Sequence, residues 1–123
     1  QLSKTMSSSA TAIIGYDIAF YDKLPELFPH TNARVWFTGN EALIADTAFL
    51  NGTLQGAYLM LTARALGLDY GPMSGFDNDA VDTAFFNATH GYLNFLCNLG
   101  YGTDEGVSPR SPRLTFDDAC KVV

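Results

Sequence analysis

Residues 67–77 read GLDYGPMSGFD, and they concentrate glycine, proline, serine and aspartate directly after a long apolar run. Gly67 is typical of a residue that ends a helix, and Pro72 interrupts a regular element. Asp77 and Asn78 are both suited to capping the start of a helix. The stretch therefore predicts a helix stop, a short strand and a new helix in quick succession.

The apolar run before this stretch predicts one long helix over residues 41–66. Asn40 can cap it, and Glu41 lies in the first turn, where the helix dipole favours an acidic residue. The second half of the run, LQGAYLMLTARAL, is apolar on nearly every side. That pattern favours a central buried helix over a surface amphipathic one.

Two glycines inside this predicted helix require an explanation. Gly52 and Gly56 lie four residues apart on one helix face, and each costs about 1 kcal/mol of helix propensity relative to alanine. Close approach of a second backbone or a ligand ring would offset that cost. The spacing fits tight packing within one subunit and a dimer interface equally well.

The rest of the chain predicts a single mixed α and β domain over residues 1–123. Residues 10–16 (ATAIIGY) read as a strand buried on both faces, and residues 92–99 (YLNFLCNL) as a second strand. Between them, residues 17–38 are rich in aromatic side chains and broken by prolines, which predicts a short helix and then an irregular segment. A capping pattern at Thr115 predicts a final helical turn or two.

The composition favours a globular protein and excludes some classes of partner. Hydrophobic residues make up 47% of the chain, the formal net charge is −6 and the isoelectric point is about 4.5. A nucleic acid or an acidic membrane surface would be repelled by that charge. Cys97 and Cys120 lack the spacing of a metal site or a disulfide framework, and no stretch is typical of a membrane span or a signal peptide. A reduced, cytoplasmic protein is the simplest interpretation.

Two catalytic patterns can be rejected. Gly100, Gly102 and Gly106 do not have GxGxxG spacing, and no helix is predicted after them, so they do not form a dinucleotide loop. Ser74 is not in a GxSxG motif, and nothing places His90 near it, so a Ser/His/Asp triad has no support. No metal site is predicted.

The basic residues are more informative. Arg110 and Arg113 lie in SPRSPRL, where prolines restrain the backbone, and closely spaced guanidinium groups are suited to a phosphate or carboxylate. The alternative is a solvated tail whose arginines pair with nearby aspartates and glutamates, and spacing alone favours that alternative. Lys4, likewise, either binds a ligand or is an ordinary surface lysine.

Four motifs together carry a resemblance to a known family. They are RALGLDYGPMSGFD, FLCNLGYG, SPRSPRLTFDDAC and FYDKLPELFPH. In their order and spacing along the chain, these motifs resemble the nitroreductase superfamily of FMN-dependent reductases over essentially all 123 residues. Within it, the chain is most similar to the branch that contains malonic semialdehyde reductases and their NAD(P)H nitroreductase relatives.

The resemblance implies an α+β fold with a mixed, mainly antiparallel sheet flanked by helices. It also implies a homodimer with FMN at the interface, in which the helix over residues 41–66 forms much of the dimer core. This raises the weight of the interface interpretation for Gly52 and Gly56. NADH or NADPH would donate the hydride, and no 2′-phosphate pocket is identifiable that would decide between them.

The resemblance further implies a set of flavin-binding residues. These are Gln1, Lys4, Pro72, Met73, Ser74, Gly75, Arg110 and Arg113. Lys4 would face the pyrimidine edge of the flavin, main-chain N–H groups of Ser74 and Gly75 would point to its N5 and O4 edge, and the two arginines would hold the phosphate. A lysine near N1 and O2 stabilises the negative charge of the reduced ring. No side chain needs to act as an acid or base.

The implied reaction is hydride transfer through flavin N5 to a small aldehyde acid, such as malonic semialdehyde, which gives 3-hydroxypropionate. A broad nitroaromatic or quinone reductase is the alternative. Gln1 replaces the asparagine of the family's Asn-x-x-Lys motif, and the family's preceding helices, which grip the phosphate and cover the ring, are not in this sequence. The chain is therefore expected to be the C-terminal part of a longer reductase, and a noncatalytic dimerising remnant is a further alternative.

Overall fold

The computed structural model describes residues 2–123, so the Gln1 prediction lies outside the described residues. A three-stranded sheet is formed by β1 (Ala10–Asp17), β2 (Asp69–Met73) and β3 (Gly91–Gly100). The strand order is β1-β3-β2, and both pairs are antiparallel. The last strand in the chain therefore occupies the centre, and the two earlier strands meet only through it.

The described residues also form helices. They are α1 (Leu2–Ser7), α2 (Leu24–Leu27), α3 (Glu41–Ala65), α4 (Asn78–Phe85) and α5 (Phe116–Ala119). Of these, α3 and α4 pack on the sheet. Short 3₁₀ turns cover Phe20–Lys23, Ala33–Trp36 and Asp104–Gly106. The predicted irregular segment between β1 and α3 is confirmed, because it contains only 3₁₀ turns and the single turn of α2.

The bounds of α3 have clear local causes. The side-chain oxygen of Asn40 accepts a hydrogen bond from the N–H of Leu43 at 3.1 Å, which satisfies a main-chain donor in the first turn. Gly67 has φ +83°, the left-handed conformation that glycine adopts at low cost after a helix. The predicted long helix is confirmed, and it ends one residue earlier than predicted, at Ala65.

Two further predicted caps are confirmed. The carboxylate of Asp77 accepts from the N–H of Ala80 at 3.0 Å and begins α4. The hydroxyl of Thr115 accepts from the N–H of Asp118 at 3.3 Å and begins α5. In both cases a short polar side chain replaces the hydrogen bond that the first turn of a helix cannot make internally.

The prediction that the first strand is buried on both faces is wrong. Its six central residues are half-buried, and its two end residues are exposed. β1 lies at one side of the described sheet and pairs only with β3. An apolar run shows that a strand is favoured, but the side of the sheet at which it pairs depends on partners far away in the chain.

A β-bulge interrupts the pairing of β1 with β3. Ile14 is opposite Phe95 and Gly15 is opposite Leu93, so Asn94 is the extra residue on β3. Bulges re-aim side chains. Here the side chains of Asn94 and Phe95 both reach α3: Asn94 through hydrogen bonds and Phe95 through contact at Gly56.

Candidate flavin site

The turn that follows β2 presents main-chain donors on the surface. Ser74 and Gly75 are exposed, and the N–H of Phe76 closes the turn by donating to the carbonyl of Ser74 at 3.1 Å. Within residues 2–123, no protein acceptor pairs with the N–H of Ser74 or of Gly75. Both donors are therefore available to a ligand, because an exposed N–H without a protein partner can bind a ligand atom in place of water.

A cavity of about 430 Å³ lies beside this turn. Its lining comes from α3, β2 with its turn, and β3: Phe49, Met60, Pro72, Met73, Ser74, Asn94 and Phe95. Apolar walls with few polar groups are typical of sites for small organic molecules and cofactors. The structure thus brings three of the predicted flavin residues, Pro72, Met73 and Ser74, to one cavity wall, while Gly75 follows them in the turn.

Asn94 is a site residue that the sequence did not single out. Its side-chain N–H₂ donates to the hydroxyl of Thr53 at 2.8 Å and to the carbonyl of Phe49 at 3.3 Å. This fixes the amide against α3 at the cavity wall. No local pattern predicts it, since an asparagine inside YLNFLCNL reaches α3 only because of the bulge.

Lys4 lies in α1, a helix that the sequence did not predict. The neighbouring hydroxyl of Thr5 donates to the sulfur of Met73 at 3.8 Å, and the side-chain N–H₂ of Asn98 contacts the same sulfur at 3.9 Å. The helix that carries Lys4 is therefore held against the end of β2. Lys4 is exposed, so its ammonium group is accessible from solvent.

The arginine segment does not join the cavity through any hydrogen bond of the described chain. Arg110 and Arg113 are exposed, and Arg113 donates only locally, to the carbonyls of Ser111 at 2.8 Å and Pro112 at 3.2 Å. The alternative from the sequence, ion pairs with acidic neighbours, is also not observed for either arginine among residues 2–123. The structure leaves both guanidinium groups available.

The interface interpretation of Gly52 and Gly56 is wrong, because both glycines are buried against the sheet of their own chain. A Cβ on Gly56 would lie 2.5 Å from Cζ of Phe95, and a Cβ on Gly52 would lie 3.0 Å from Cβ of Tyr16. Real Cβ atoms essentially never approach as closely as 2.5 Å, and a distance of 3.0 Å is tighter than most Cβ contacts. The two glycines let α3 lie directly on β1 and β3, which is the packing within one subunit that the spacing also allowed.

The opposite face of α3 carries large apolar side chains that nothing covers in the described chain. Leu43, Leu50, Leu54 and Leu61 are 40–65% exposed. With Thr47 and Ala57 they follow one another at alternating intervals of four and three residues, the spacing of a helix seam that packs on a partner helix. We call the six residues the outer seam. The prediction of a central buried helix therefore holds for the face of α3 that packs on the sheet and not for the outer seam.

Two groups near α3 have pKa values displaced by burial. Burial raises the pKa of the Tyr16 hydroxyl, and the Asp82 carboxylate and Tyr92 raise it further. Burial also raises the pKa of the Cys97 thiol, although a hydrogen bond from the main chain at Gly71 opposes the shift. In both cases burial favours the neutral form of the group.

Neither histidine forms a triad with Ser74. The carbonyl of His90 accepts a main-chain hydrogen bond from Ile18 at 3.0 Å, and the ring of His30 packs edge-on against Phe28. In the part of the chain that the structure covers, Ser74 has no side-chain hydrogen bond to a base. Among residues 2–123, the candidate site therefore shows no serine paired with a base.

Comparisons with known proteins identify the class. No protein-family model matches the chain. Solved structures do: that of a putative nitroreductase from Bacillus subtilis superposes with a TM-score of 0.88 at 25% identity, covering 98% of this chain and 66% of that one. A putative nitroreductase from Exiguobacterium sibiricum in complex with FMN gives 0.81 at 22% identity, covering 98% and 65%. The chain has the nitroreductase fold.

Curated relatives are more similar in sequence. A "Putative NADH dehydrogenase/NAD(P)H nitroreductase" from Burkholderia lata is 60% identical over 121 residues, which are 98% of this chain and 62% of that protein. A protein of the same description from Stenotrophomonas maltophilia is 58% identical over 119 residues, 97% of this chain and 61% of its own length. The predicted resemblance to the nitroreductase superfamily and the α+β fold are confirmed. The chain spans less than two thirds of the length of these relatives.

Among the helices of residues 2–123, none combines the length and the hydropathy that crossing a bilayer requires.

Proposed function

We propose that the protein is an FMN-dependent NAD(P)H oxidoreductase. The observation that carries the proposal is the turn after β2, where two exposed residues whose N–H groups have no partner within residues 2–123 lie next to an apolar cavity. An aromatic ring with acceptor atoms along one edge fits that combination of apolar wall and main-chain donors. The relatives' names and the FMN complex of a structural neighbour support the same conclusion.

Each part of the site has a proposed role. Pro72 and Met73 support the ring, the N–H groups of Ser74 and Gly75 bind its N5 and O4 edge, and Lys4 stabilises negative charge at the pyrimidine edge. A turn that uses main-chain donors fixes the ring without placing a side chain between it and the substrate. When bound, FMN supplies the hydride chemistry, while these residues bind and orient it.

The remaining binding residues are at the two ends of the chain. We assign the FMN phosphate to Arg110 and Arg113, because both are exposed and without an ion pair in the described residues, and paired guanidinium groups suit a phosphate. Gln1 is proposed to join Lys4 at the pyrimidine edge on the basis of the resemblance alone. Residues 1–123 would then be one unit, the C-terminal part of an FMN-binding domain.

The proposed substrate is a small aldehyde acid such as malonic semialdehyde, with NADH or NADPH as hydride donor. The second candidate is a broad reductase of nitroaromatics or quinones, and the word nitroreductase in the relatives' names favours its nitroaromatic part. Matched measurements of kcat/KM for malonic semialdehyde, a nitroaromatic compound and a quinone separate the two. The first proposal expects the aldehyde acid to have the highest value, and a higher value for the nitroaromatic compound or the quinone contradicts it.

We further propose a homodimer through the outer seam of α3. Exposed apolar surface of this regularity is typical of an interaction surface, and the alternating spacing of four and three residues suits an identical helix across a two-fold axis. This keeps the helix of the earlier prediction and changes the contacting residues.

Cys97 and Cys120 are both free thiols, which supports the proposal of a reducing, cytoplasmic location.

Cofactor content tests the central proposal. The purified protein is heated to release bound cofactor, and the supernatant is examined for FMN fluorescence; titration of the protein with added FMN gives the affinity. FMN at near one per chain, or micromolar binding on titration, is expected. Absence of both would overturn the proposal and favour a noncatalytic dimerising remnant.

The phosphate assignment predicts a large effect of removing the two arginines together. Arg110→Ala combined with Arg113→Ala should weaken FMN binding at least about 100-fold, since each charge-assisted hydrogen bond contributes about 1.5–3 kcal/mol. Lys23→Ala combined with Lys121→Ala is the matched control, because it makes the same change in net charge at exposed sites outside the assignment. Equal losses in the two double variants would show a general charge effect and contradict the assignment.

A further inference from the structure

A single carboxylate joins three elements next to the proposed flavin site. Asp69 is the first residue of β2, and its main chain pairs with Gly100 at the end of β3. Its side chain accepts a hydrogen bond from the N–H of Gly102 at 2.8 Å and forms an ion pair with Arg64 in the last turn of α3. The end of α3, the start of β2 and the exit of β3 thus meet at Asp69.

The bond to Gly102 is the last long-range hydrogen bond along the described chain. Beyond Gly102, every hydrogen bond within the described residues is local, from the 3₁₀ turn through Arg113 to the capped turn of α5. Residues 103–123 are exposed wherever their burial is described. The direction in which this segment leaves the sheet therefore depends on its attachment at Gly102.

Gly102 is also fitted closely to the carboxylate. A Cβ there would lie 3.2 Å from Oδ2 of Asp69, which is tighter than ordinary van der Waals contact. The absence of a side chain at this position lets the main chain approach the carboxylate.

We propose that Asp69 is a positioning residue that fixes the exit of β3 and so sets the arginine segment relative to the turn at Ser74 and Gly75. β2 leads from Asp69 directly into that turn, and the segment held through Gly102 leads to Arg110 eight residues later. Asp69 therefore connects the turn proposed to bind the flavin ring with the arginine segment proposed to bind the phosphate. What the arginines bind rests on the proposed function, whereas the attachment itself rests only on the contacts above.

Asp69 mainly positions the segment that follows Gly102, and it contributes only weakly to overall stability. The side chains of Arg64 and Asp69 are 58% and 49% exposed, and ion pairs in that setting contribute little to unfolding free energy. A charged acceptor for a main-chain N–H, in contrast, strongly restricts the local geometry. Asp69→Ala should therefore change local exchange and ligand discrimination while the unfolding midpoint stays nearly unchanged.

Two measurements on Asp69→Ala test the proposal. Amide hydrogen exchange should accelerate about tenfold at Gly102, because the acceptor of its N–H is removed. FMN affinity should fall about tenfold while riboflavin affinity is unchanged, because riboflavin lacks the phosphate that the arginines hold. Arg64→Ala keeps the hydrogen bond to Gly102 and should have a smaller effect on both.

Glu105→Gln is the matched control, since it removes one negative charge from the same segment, at a side chain that makes no hydrogen bond in the described chain. It should change neither measurement. Unchanged exchange at Gly102 in Asp69→Ala would overturn the attachment, and an equal loss of FMN and riboflavin affinity would overturn the link to the arginines. If the unsubstituted protein binds no FMN, the proposed function fails, and the exchange measurement still decides whether Asp69 holds the segment.

Discussion

The two faces of α3 are both apolar, yet they differ in the size of their side chains. The inner face carries Gly52 and Gly56, and the helix backbone lies directly on β1 and β3. The outer seam carries leucines that remain exposed in the single chain. Small residues suit close approach to a sheet, and large ones suit interdigitation with another helix. Hydrophobicity alone does not separate these two kinds of contact.

The largest expected effect comes from placing a charge in the outer seam. Leu54→Glu would bury a carboxylate against its symmetry mate in the proposed dimer, so the dissociation constant should rise at least about 100-fold. Sedimentation velocity over a range of protein concentrations measures this. Leu27→Glu introduces the same charge at another exposed leucine, on α2, and should leave the dimer intact. A Leu54→Glu protein that stays dimeric would move the interface away from the outer seam.

The inner face should be sensitive to added volume. Gly56→Val places a branched side chain where even a Cβ would lie 2.5 Å from the ring of Phe95, so the unfolding free energy should fall by about 1–3 kcal/mol. Urea unfolding measures the change. The control is Gln55→Val, the same new side chain at the exposed neighbouring position. If Gly56→Val loses no more stability than Gln55→Val, the close contact with Phe95 is not responsible.

The smallest expected effect is the pH dependence that comes from Tyr16, a residue of β1 that packs against the inner face of α3 at Gly52. Burial raises the pKa of Tyr16 above its ordinary value of 10.0, so the folded state favours the neutral hydroxyl. The stabilisation is fully present below pH 10 and is lost as pH rises through the higher folded-state pKa. Tyr16→Phe should therefore lose less stability than the unsubstituted protein in urea unfolding between pH 9 and about pH 11.

Tyr101→Phe is the control for that experiment, because Tyr101 is 80% exposed. It should follow the unsubstituted protein through the same alkaline range. If Tyr16→Phe and Tyr101→Phe behaved alike, the alkaline loss would come from the chain as a whole and not from the buried hydroxyl.

Local chemistry made several features predictable from sequence. Asn40, Asp77 and Thr115 begin helices because a short polar side chain can accept from a first-turn N–H wherever it occurs, and Gly67 ends α3 because glycine tolerates positive φ. The motif around Pro72 also predicted the turn of the candidate site. Three assignments rest on the family resemblance alone: the phosphate role of the arginine segment, the flavin role of Gln1 and Lys4, and the substrate. All three stay predictions.

Other features depend on contacts between residues far apart in the chain. β3 lies in the centre of the sheet although it comes last, the bulge aims Asn94 at α3, and Asp69 holds Gly102 thirty-three residues later. The sequence by itself determined where α3 begins and ends and that a turn follows β2, because each depends on neighbouring residues. Only the tertiary structure decided which face of α3 meets the sheet, since both faces are apolar and the close fit of Gly56 to Phe95 exists only after β3 has paired.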